Sequence, residues 1–127
     1  MAIAGLNAAL KWILDTGIDK IFEKDRENTK LLLEILESFD YIHTIKPKDN
    51  CVGIISTNIY GYSSDSLANV FTEYNVACRT GLQCAPNAHK LLGTFPEGTI
   101  RFSIGYYNTE SDFIQLNNCF NEILNLL

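Results

Sequence analysis

Apolar residues at the start of the chain are three or four positions apart, the spacing that places side chains on one face of a helix. In residues 3–15 these positions are Ile3, Leu6, Leu10, Ile13 and Leu14. Gly17 follows and is typical of the residue that ends a helix. The pattern therefore predicts a first helix over 3–15 with a continuous apolar face.

A second helix is predicted directly afterwards. Thr16 and Asp19 have the spacing of a capping box, in which two side chains satisfy free amide groups at a helix start. One face of this helix is mainly apolar, and charged residues lie mostly outside it. The face consists of Ile18, Ile21, Phe22, Thr29, Leu32, Leu33 and Leu36.

The pattern then changes to short segments of the kind found in strands, with β-branched residues prominent. Four segments predict strands: residues 41–45, 51–59, 75–78 and 99–104. The turn-prone stretch 46–50 separates the first two, and a short helix around Phe71 is predicted between the second and third.

A long connection, residues 79–98, separates the last two predicted strands and contains three glycines and two prolines. Connections of that length in a compact domain are usually functional. Within it, Pro86 is placed to begin a short helix and Gly93 to end it. Thr109 with Asp112 predicts a capping box for a final helix. The apolar positions of that helix include Phe113, Leu116, Phe120, Ile123 and Leu124.

These elements predict an α+β fold: a small, mainly antiparallel sheet with helices packed on it, in a single domain over residues 1–127. Apolar residues make up 46% and charged residues 20%, which is typical of a globular protein. The net charge is −5 without a basic stripe, so no nucleic-acid partner is expected. No apolar run approaches the ~20 residues of a membrane span and no secretory signal is present, so we expect no membrane contact and a cytoplasmic location.

The long connection also holds the residues best suited to chemistry. Cys84 lies between Arg79, just after a predicted strand, and Arg101, on the next one. A thiolate is a nucleophile, and nearby cations lower the pKa of a thiol. Arginine binds carboxylates through two parallel hydrogen bonds. A flexible loop containing Gly81 could carry such a thiolate to a carboxylate-bearing substrate. Equally, most cysteines are inert core residues and most arginines are solvated surface charges.

Two sequence blocks carry a family resemblance. Residues 79–86, RTGLQCAP, with Ala88, His89 and Lys90 following, resemble the cysteine loop of class V aminotransferases, specifically the cysteine desulfurase branch. Residues 98–109, GTIRFSIGYYNT, resemble the next strand and turn of that family. The short connection before the cysteine is similar to the SUF-type, short-loop branch. The chain is thus identified as a C-terminal small domain of a fold-type I, pyridoxal-phosphate (PLP)-dependent transferase.

The resemblance implies a role for each matching residue. Cys84 would be the catalytic residue, taking sulfur from L-cysteine as a persulfide and passing it to an acceptor protein. Arg101 would bind the substrate carboxylate, and Arg79 would help to position substrate or persulfide. Asn108 would be structural, and His89 a capping or surface residue. The full enzyme is expected to be a homodimer.

The resemblance assigns the cofactor to another part of the enzyme. The run His89-Lys90-Leu91-Leu92-Gly93 superficially resembles the surroundings of a PLP-binding lysine, but we reject Lys90 in that role, since the residues around it match the cysteine loop. A PLP site also needs an acid at the pyridine nitrogen and donors for the phosphate. We therefore expect PLP in the full-length enzyme, none bound to this chain, no desulfurase activity of the chain alone, and an exposed apolar face toward the missing large domain.

Two alternatives remain. The chain could be a stand-alone sulfur carrier or protein-binding module that uses Cys84 without PLP chemistry. A metal site formed by Cys78, Cys84 and His89 is the other, but its spacing matches no standard zinc motif, so no metal is expected. Cys78 is expected to be a buried core thiol; if exposed, it would be a second thiol near Cys84.

Overall fold

A three-stranded antiparallel sheet in the order β1-β2-β3 is the centre of the fold, which confirms the α+β prediction. The computed structural model describes residues 2–45 and 52–126. The strands are β1 (Ile42–Ile45), β2 (Ile54–Ile59) and β3 (Ile100–Ser103). The helices are α1 (Ala2–Thr16), α2 (Ile18–Glu37), α3 (Ala68–Glu73), α4 (Pro86–Leu92) and α5 (Glu110–Leu126). Within the described ranges, no helix is both long enough and apolar enough to cross a membrane.

The two faces of the sheet differ because successive side chains of a strand point to opposite sides. Ile55 pairs with Phe102, and both are buried on the face that packs in the core. Ser56 pairs with Arg101, and both are only partly buried on the other face. Strand residues Ile42, Ile59 and Ile100 add to this core. Most of the remaining core residues belong to helices, and Leu67 lies directly before α3: Leu32, Leu36, Leu67, Phe71, Phe113, Leu116, Cys119, Phe120 and Ile123. The face that carries Ser56 and Arg101 is therefore the one on which polar side chains are partly accessible.

The apolar face predicted for α1 exists but is not covered. The helix forms as expected, yet none of its described residues is buried. The side chains of Ile3 and Leu14 are 83% and 81% exposed. The same is true of the beginning of α2, where Ile18 and Phe22 are exposed, whereas Leu32 and Leu36 near its end are fully buried.

The prediction of a strand at 75–78 is wrong, because the first of these residues close the C-terminal end of helix α3. The amide of Asn75 donates to the Thr72 carbonyl (2.9 Å) and the amide of Val76 to the Phe71 carbonyl (2.7 Å). With Asn75 at φ 52°, this is the hydrogen-bond pattern that closes the end of a helix, here α3. Among the residues that the structure describes, a single isolated bridge, between Arg79 and Arg101, adds to the sheet at this edge. The strand predicted over 51–59 begins later, at Ile54, and Cys51 and the predicted turn 46–50 lie outside the described residues.

The two predicted capping boxes differ in outcome. At α5 half of the box forms: the Asp112 carboxylate accepts a hydrogen bond from the Thr109 amide (2.8 Å), whereas the Asp112 amide donates to the Thr109 carbonyl (3.0 Å) and not to its hydroxyl. At α2 the prediction is wrong, because the residue before the helix is Gly17 and no side chain caps it. Thr16 still belongs to α1, and a capping residue must have left the helical conformation.

Candidate active site around Cys84

Cys84 lies in a tight turn between the Arg79–Arg101 bridge and α4. Gln83 and Cys84 both have left-handed backbone conformations, with φ of 50° and 61°. That conformation costs an L-residue about 1–2 kcal/mol, so two in succession persist only where their surroundings hold them. The Ala85 amide closes the turn on the Leu82 carbonyl (2.9 Å), and the Cys84 side chain is exposed. The thiol is thus presented to solvent by a constrained backbone.

The backbone before the turn is packed closely against the segment that leads into β3. The Thr99 amide donates to the Gly81 carbonyl (3.1 Å), and the Gly81 amide donates to the Ser64 hydroxyl (3.1 Å). A Cβ on Gly98 would overlap the Gly81 carbonyl, so only glycine fits there. Gly81, which the sequence suggested as a source of flexibility, is instead fixed by its neighbours.

The side chain of Gln83 makes the other link. Its Nε2 donates to the carbonyl oxygens of Arg79 and Thr99, both at 3.1 Å. These carbonyls belong to the two segments that flank the turn. The carboxamide therefore connects the strand bridge, the turn and the start of β3.

The two arginines lie directly opposite each other. Each backbone amide donates to the other residue's carbonyl, Arg79 to Arg101 at 3.0 Å and Arg101 to Arg79 at 2.7 Å. Side chains of directly opposed residues share a sheet face, where like charges are destabilising. Among the described residues, the salt bridges are Lys24–Glu27 and Lys30–Glu34, so neither arginine has an acidic partner there. The Nε of Arg101 is buried and has no hydrogen-bond partner. This arrangement suits a bound anion such as a carboxylate.

The described cysteines differ in their surroundings. Burial raises the pKa of Cys78 to about 11, and burial, with Cys78 nearby, raises the pKa of Cys119 to about 11. Both therefore stay neutral thiols near pH 7. Cys84 is the exposed one. Cys78 is partly buried and packs against the core, so the prediction of a buried core thiol is only partly confirmed. Within the described ranges, no three side chains of the usual metal-binding types lie together, so the structure does not bring Cys78, Cys84 and His89 into one cluster.

Helix α4 begins at Pro86, and the left-handed Gly93 directly after its last residue ends it, as predicted. The Thr94 amide donates to the His89 carbonyl (2.9 Å), and the Thr94 hydroxyl lies 2.7 Å from the His89 Nδ1. His89 is buried, so the surface interpretation is wrong, and its side chain contacts the Thr94 hydroxyl just beyond the end of the helix. Lys90 is exposed, and its ammonium lies over the Phe95 ring, 5.1 Å from the centroid.

Comparison with known proteins places this arrangement in a family. The sequence model of one family, described as aminotransferase class-V, matches residues 1–116. This chain belongs to that family. The cysteine desulfurase CsdA of Escherichia coli is 29% identical over 98% of this chain. A probable cysteine desulfurase of Methanothermobacter thermautotrophicus is 32% identical over 94%. The chain spans 30% of the length of each.

Solved structures of cysteine desulfurases have the same fold. The crystal structure of CsdA covers 97% of this chain with a TM-score of 0.85 and 28% identity, and the chain covers 30% of it. The apo cysteine desulfurase of Thermococcus onnurineus has a TM-score of 0.88 at 24% identity. The match again covers 97% of this chain and 30% of the desulfurase chain. The second likeness concerns the fold alone. Nearly the whole chain is therefore similar to a segment that makes up 30% of each of these proteins.

Class-V membership implies PLP, and the surroundings of Lys90 do not fit that cofactor. A PLP lysine needs an acid that pairs with the pyridine nitrogen and donors that bind the phosphate. Lys90 instead points outward on a two-turn helix, stacked on Phe95, and Leu91 beside it is exposed. These described contacts supply neither an acid for the pyridine nitrogen nor a donor for the phosphate, so they do not fit a PLP lysine.

Two residues of the site were missed from the sequence. Gln83 and Ser64 hold the Cys84 turn through bonds to residues 16 and 17 positions away, Thr99 and Gly81 respectively. The spacing of neighbouring residues in the sequence does not indicate contacts between positions so far apart. The only available signal was that Gln83 stands next to the candidate nucleophile.

Proposed function

We propose that this chain is the small domain of a PLP-dependent cysteine desulfurase, and that Cys84 accepts sulfur from L-cysteine as a persulfide. The observation that carries the proposal is the opposed Arg79–Arg101 pair, without an acidic partner among the described residues, together with the exposed Cys84 thiol, which follows Arg79 by five positions in the sequence. The similarity to cysteine desulfurases supports it.

The chemistry assigns each residue one task. Arg101 holds the substrate carboxylate from a rigid strand, and Arg79 shares that charge. The Cys84 thiolate attacks the substrate sulfur: an S–S bond forms, the substrate C–S bond breaks, and the carbon takes up a proton, leaving alanine. PLP, held by residues outside this chain, supplies the electron sink for the substrate carbon. Asn108 stays structural, accepting the Gly105 amide (2.8 Å).

The proposal extends to the setting of the reaction. L-cysteine is the substrate of the full enzyme, a sulfur-acceptor protein receives the persulfide sulfur, and the full enzyme is a homodimer. A cytoplasmic location and the absence of nucleic-acid and membrane partners stay predictions from the sequence.

Transfer from a small persulfide tests the thiol and the arginines together. In cysteine persulfide, the terminal sulfur is attacked by the Cys84 thiolate, the donor S–S bond breaks, and cysteine leaves. Cysteamine persulfide is a matched donor without the carboxylate. We expect mass spectrometry to find the added sulfur on Cys84, faster from cysteine persulfide, with that advantage reduced roughly tenfold in Arg101→Gln, as for a charged hydrogen bond.

Arg26→Gln is the matched control, because Arg26 lies on α2 against the Phe22 ring, on another element. Cys84→Ala should take up no sulfur at that position. Sulfur found first on Cys78 or Cys119, or equal rates for the two donors in the wild type, would count against the proposal.

A second candidate is a stand-alone sulfur carrier, favoured by the exposure of Cys84 together with the poor fit of Lys90 to PLP. Incubation with PLP and L-cysteine separates both proposals from a complete enzyme. We expect no sulfide release and no visible absorbance band from lysine-bound PLP. A band that disappears in Lys90→Ala would overturn our rejection of Lys90. Sulfide release on adding a PLP-bearing class-V large domain would favour the desulfurase over the carrier.

A further inference from the structure

Gln83 is a polar side chain whose contacts neither the motif nor the proposed chemistry has used. It precedes the nucleophile and is partly buried, while Cys84 is exposed. Its terminal atom lies 3.1 Å from each of two carbonyl oxygens, those of Arg79 and Thr99. Carbonyl oxygens only accept, so that atom is the nitrogen, and it carries two hydrogens for these two acceptors; the Thr99 hydroxyl oxygen is a third, longer contact at 3.4 Å.

The two bonds join segments whose relative position fixes the turn. The Arg79 carbonyl also accepts the Arg101 amide in the strand bridge, so the Gln83 side chain is tied to the backbone of the arginine pair. Thr99 begins the approach to β3 and donates its own amide to Gly81. With Gln83 held inward at left-handed φ, the next residue, also left-handed, turns its side chain outward.

We propose that Gln83 is the positioning residue of the site, which fixes the Cys84 thiol relative to the Arg79–Arg101 pair. The inference rests on the proposed function for its catalytic meaning. The carboxamide acts through the backbone and does not touch the reacting sulfur. Its loss frees the turn while the core beneath stays packed, so a thiol and a carboxylate bound at the arginines no longer meet at a fixed separation.

Two measurements on the whole chain test this. Amide hydrogen exchange follows Ala85 and Thr99, whose amides close the turn, with Phe102 as a reporter of the core. In Gln83→Ala, and in Gln83→Glu, which keeps the shape but loses the donors at neutral pH, we expect both turn amides to exchange about tenfold faster or more. Phe102 should be unchanged.

The second measurement is the rate advantage of cysteine persulfide over cysteamine persulfide at Cys84. It should fall several-fold in both Gln83 variants, because only the carboxylate-bearing donor uses the arginine pair. Gln115→Ala is the matched control: Gln115 also donates its Nε2 to a backbone carbonyl, that of Tyr74 (2.6 Å), but away from the turn. It should alter neither the turn amides nor the donor preference.

The outcomes separate this inference from the proposed function. If wild-type Cys84 takes up sulfur with a preference for the carboxylate donor, and the Gln83 variants change neither preference nor exchange, Gln83 is not a positioning residue. If the variants release the turn amides while wild-type Cys84 takes up no sulfur, Gln83 holds the turn and the desulfurase function fails. A preference lost equally in Gln115→Ala would reduce Gln83 to general stabilisation and overturn the inference.

Discussion

Helices α1 and α5 have the same kind of sequence pattern and opposite surroundings. Both carry apolar residues at helical spacing, and both form where the pattern predicts. The face of α5 is buried against the sheet and α3, with Phe120 and Ile123 fully inaccessible, whereas α1 buries none of its described residues. Trp12 alone among the large α1 side chains makes ring contacts, with Tyr106 and Tyr107 at 5.2 and 5.3 Å.

The difference shows what an amphipathic pattern specifies. Spacing fixes a helix and the direction of its apolar face, but the partner of that face is a matter of tertiary packing. Large exposed apolar surfaces are uncommon on self-contained domains. An uncovered α1 face is what the small-domain proposal expects of a surface that the rest of a longer enzyme would cover, since this chain spans 30% of its relatives.

The largest expected effect concerns the α5 side of the comparison. Phe120 is fully buried, in ring contact with Phe39, Phe71 and Phe102. Phe120→Ala should lower the free energy of unfolding by about 3–5 kcal/mol, because it removes buried apolar area and leaves a cavity. The matched variant in α1, Leu14→Ala, should change it by less than about 0.5 kcal/mol. Urea unfolding of both measures the contrast, and similar losses would show that α1 is covered in solution.

Local features of the fold were predictable because their causes are local. Pro86 and Gly93 bound α4, and Asp112 caps α5, each through contacts within a few residues. The strand at 75–78 was wrong because Asn75 ends α3 instead, a competition that β-propensity does not reveal.

The candidate site followed the same division. Arg79, Cys84 and Arg101 were predicted from the two sequence blocks that resemble the family, and their roles stay predictions. The residues that hold the turn, Gln83 and Ser64, act across 16 or more positions and became visible only once the chain was folded. The direct opposition of the two arginines likewise depends on strand register, which the sequence did not specify.

The N-terminal ends of helices α5 and α2 give a second contrast, for which we expect an effect of intermediate size. Asp112→Ala at α5 should cost about 0.5–1 kcal/mol, since it removes an acceptor for the Thr109 amide, whereas Asp19→Ala at α2, where no side chain caps, should cost less. The Thr109 amide and then the Asn108 side chain lower the pKa of Asp112 in the folded state.

The pH dependence of this contrast has a definite sign. A folded-state pKa below the unfolded value adds stability that is present above the unfolded pKa and is lost as pH falls through the folded pKa. The difference in unfolding free energy between wild type and Asp112→Ala should therefore shrink on acidification. Thermal unfolding from pH 7 downward measures it, and a constant difference would contradict the cap.

The smallest expected effect tests the uncovered face itself. Replacing Ile3 and Leu14 together by glutamine should leave the free energy of unfolding within about 0.5 kcal/mol, because both side chains are already mostly in water. The variant should self-associate less in sedimentation velocity, since the apolar face is the surface that such contacts would use. Leu91→Gln is the control, an exposed leucine on α4 rather than α1, and should leave association unchanged. A loss of stability in the double variant that is independent of concentration would mean that this chain covers the α1 face itself, and the comparison with α5 would fail.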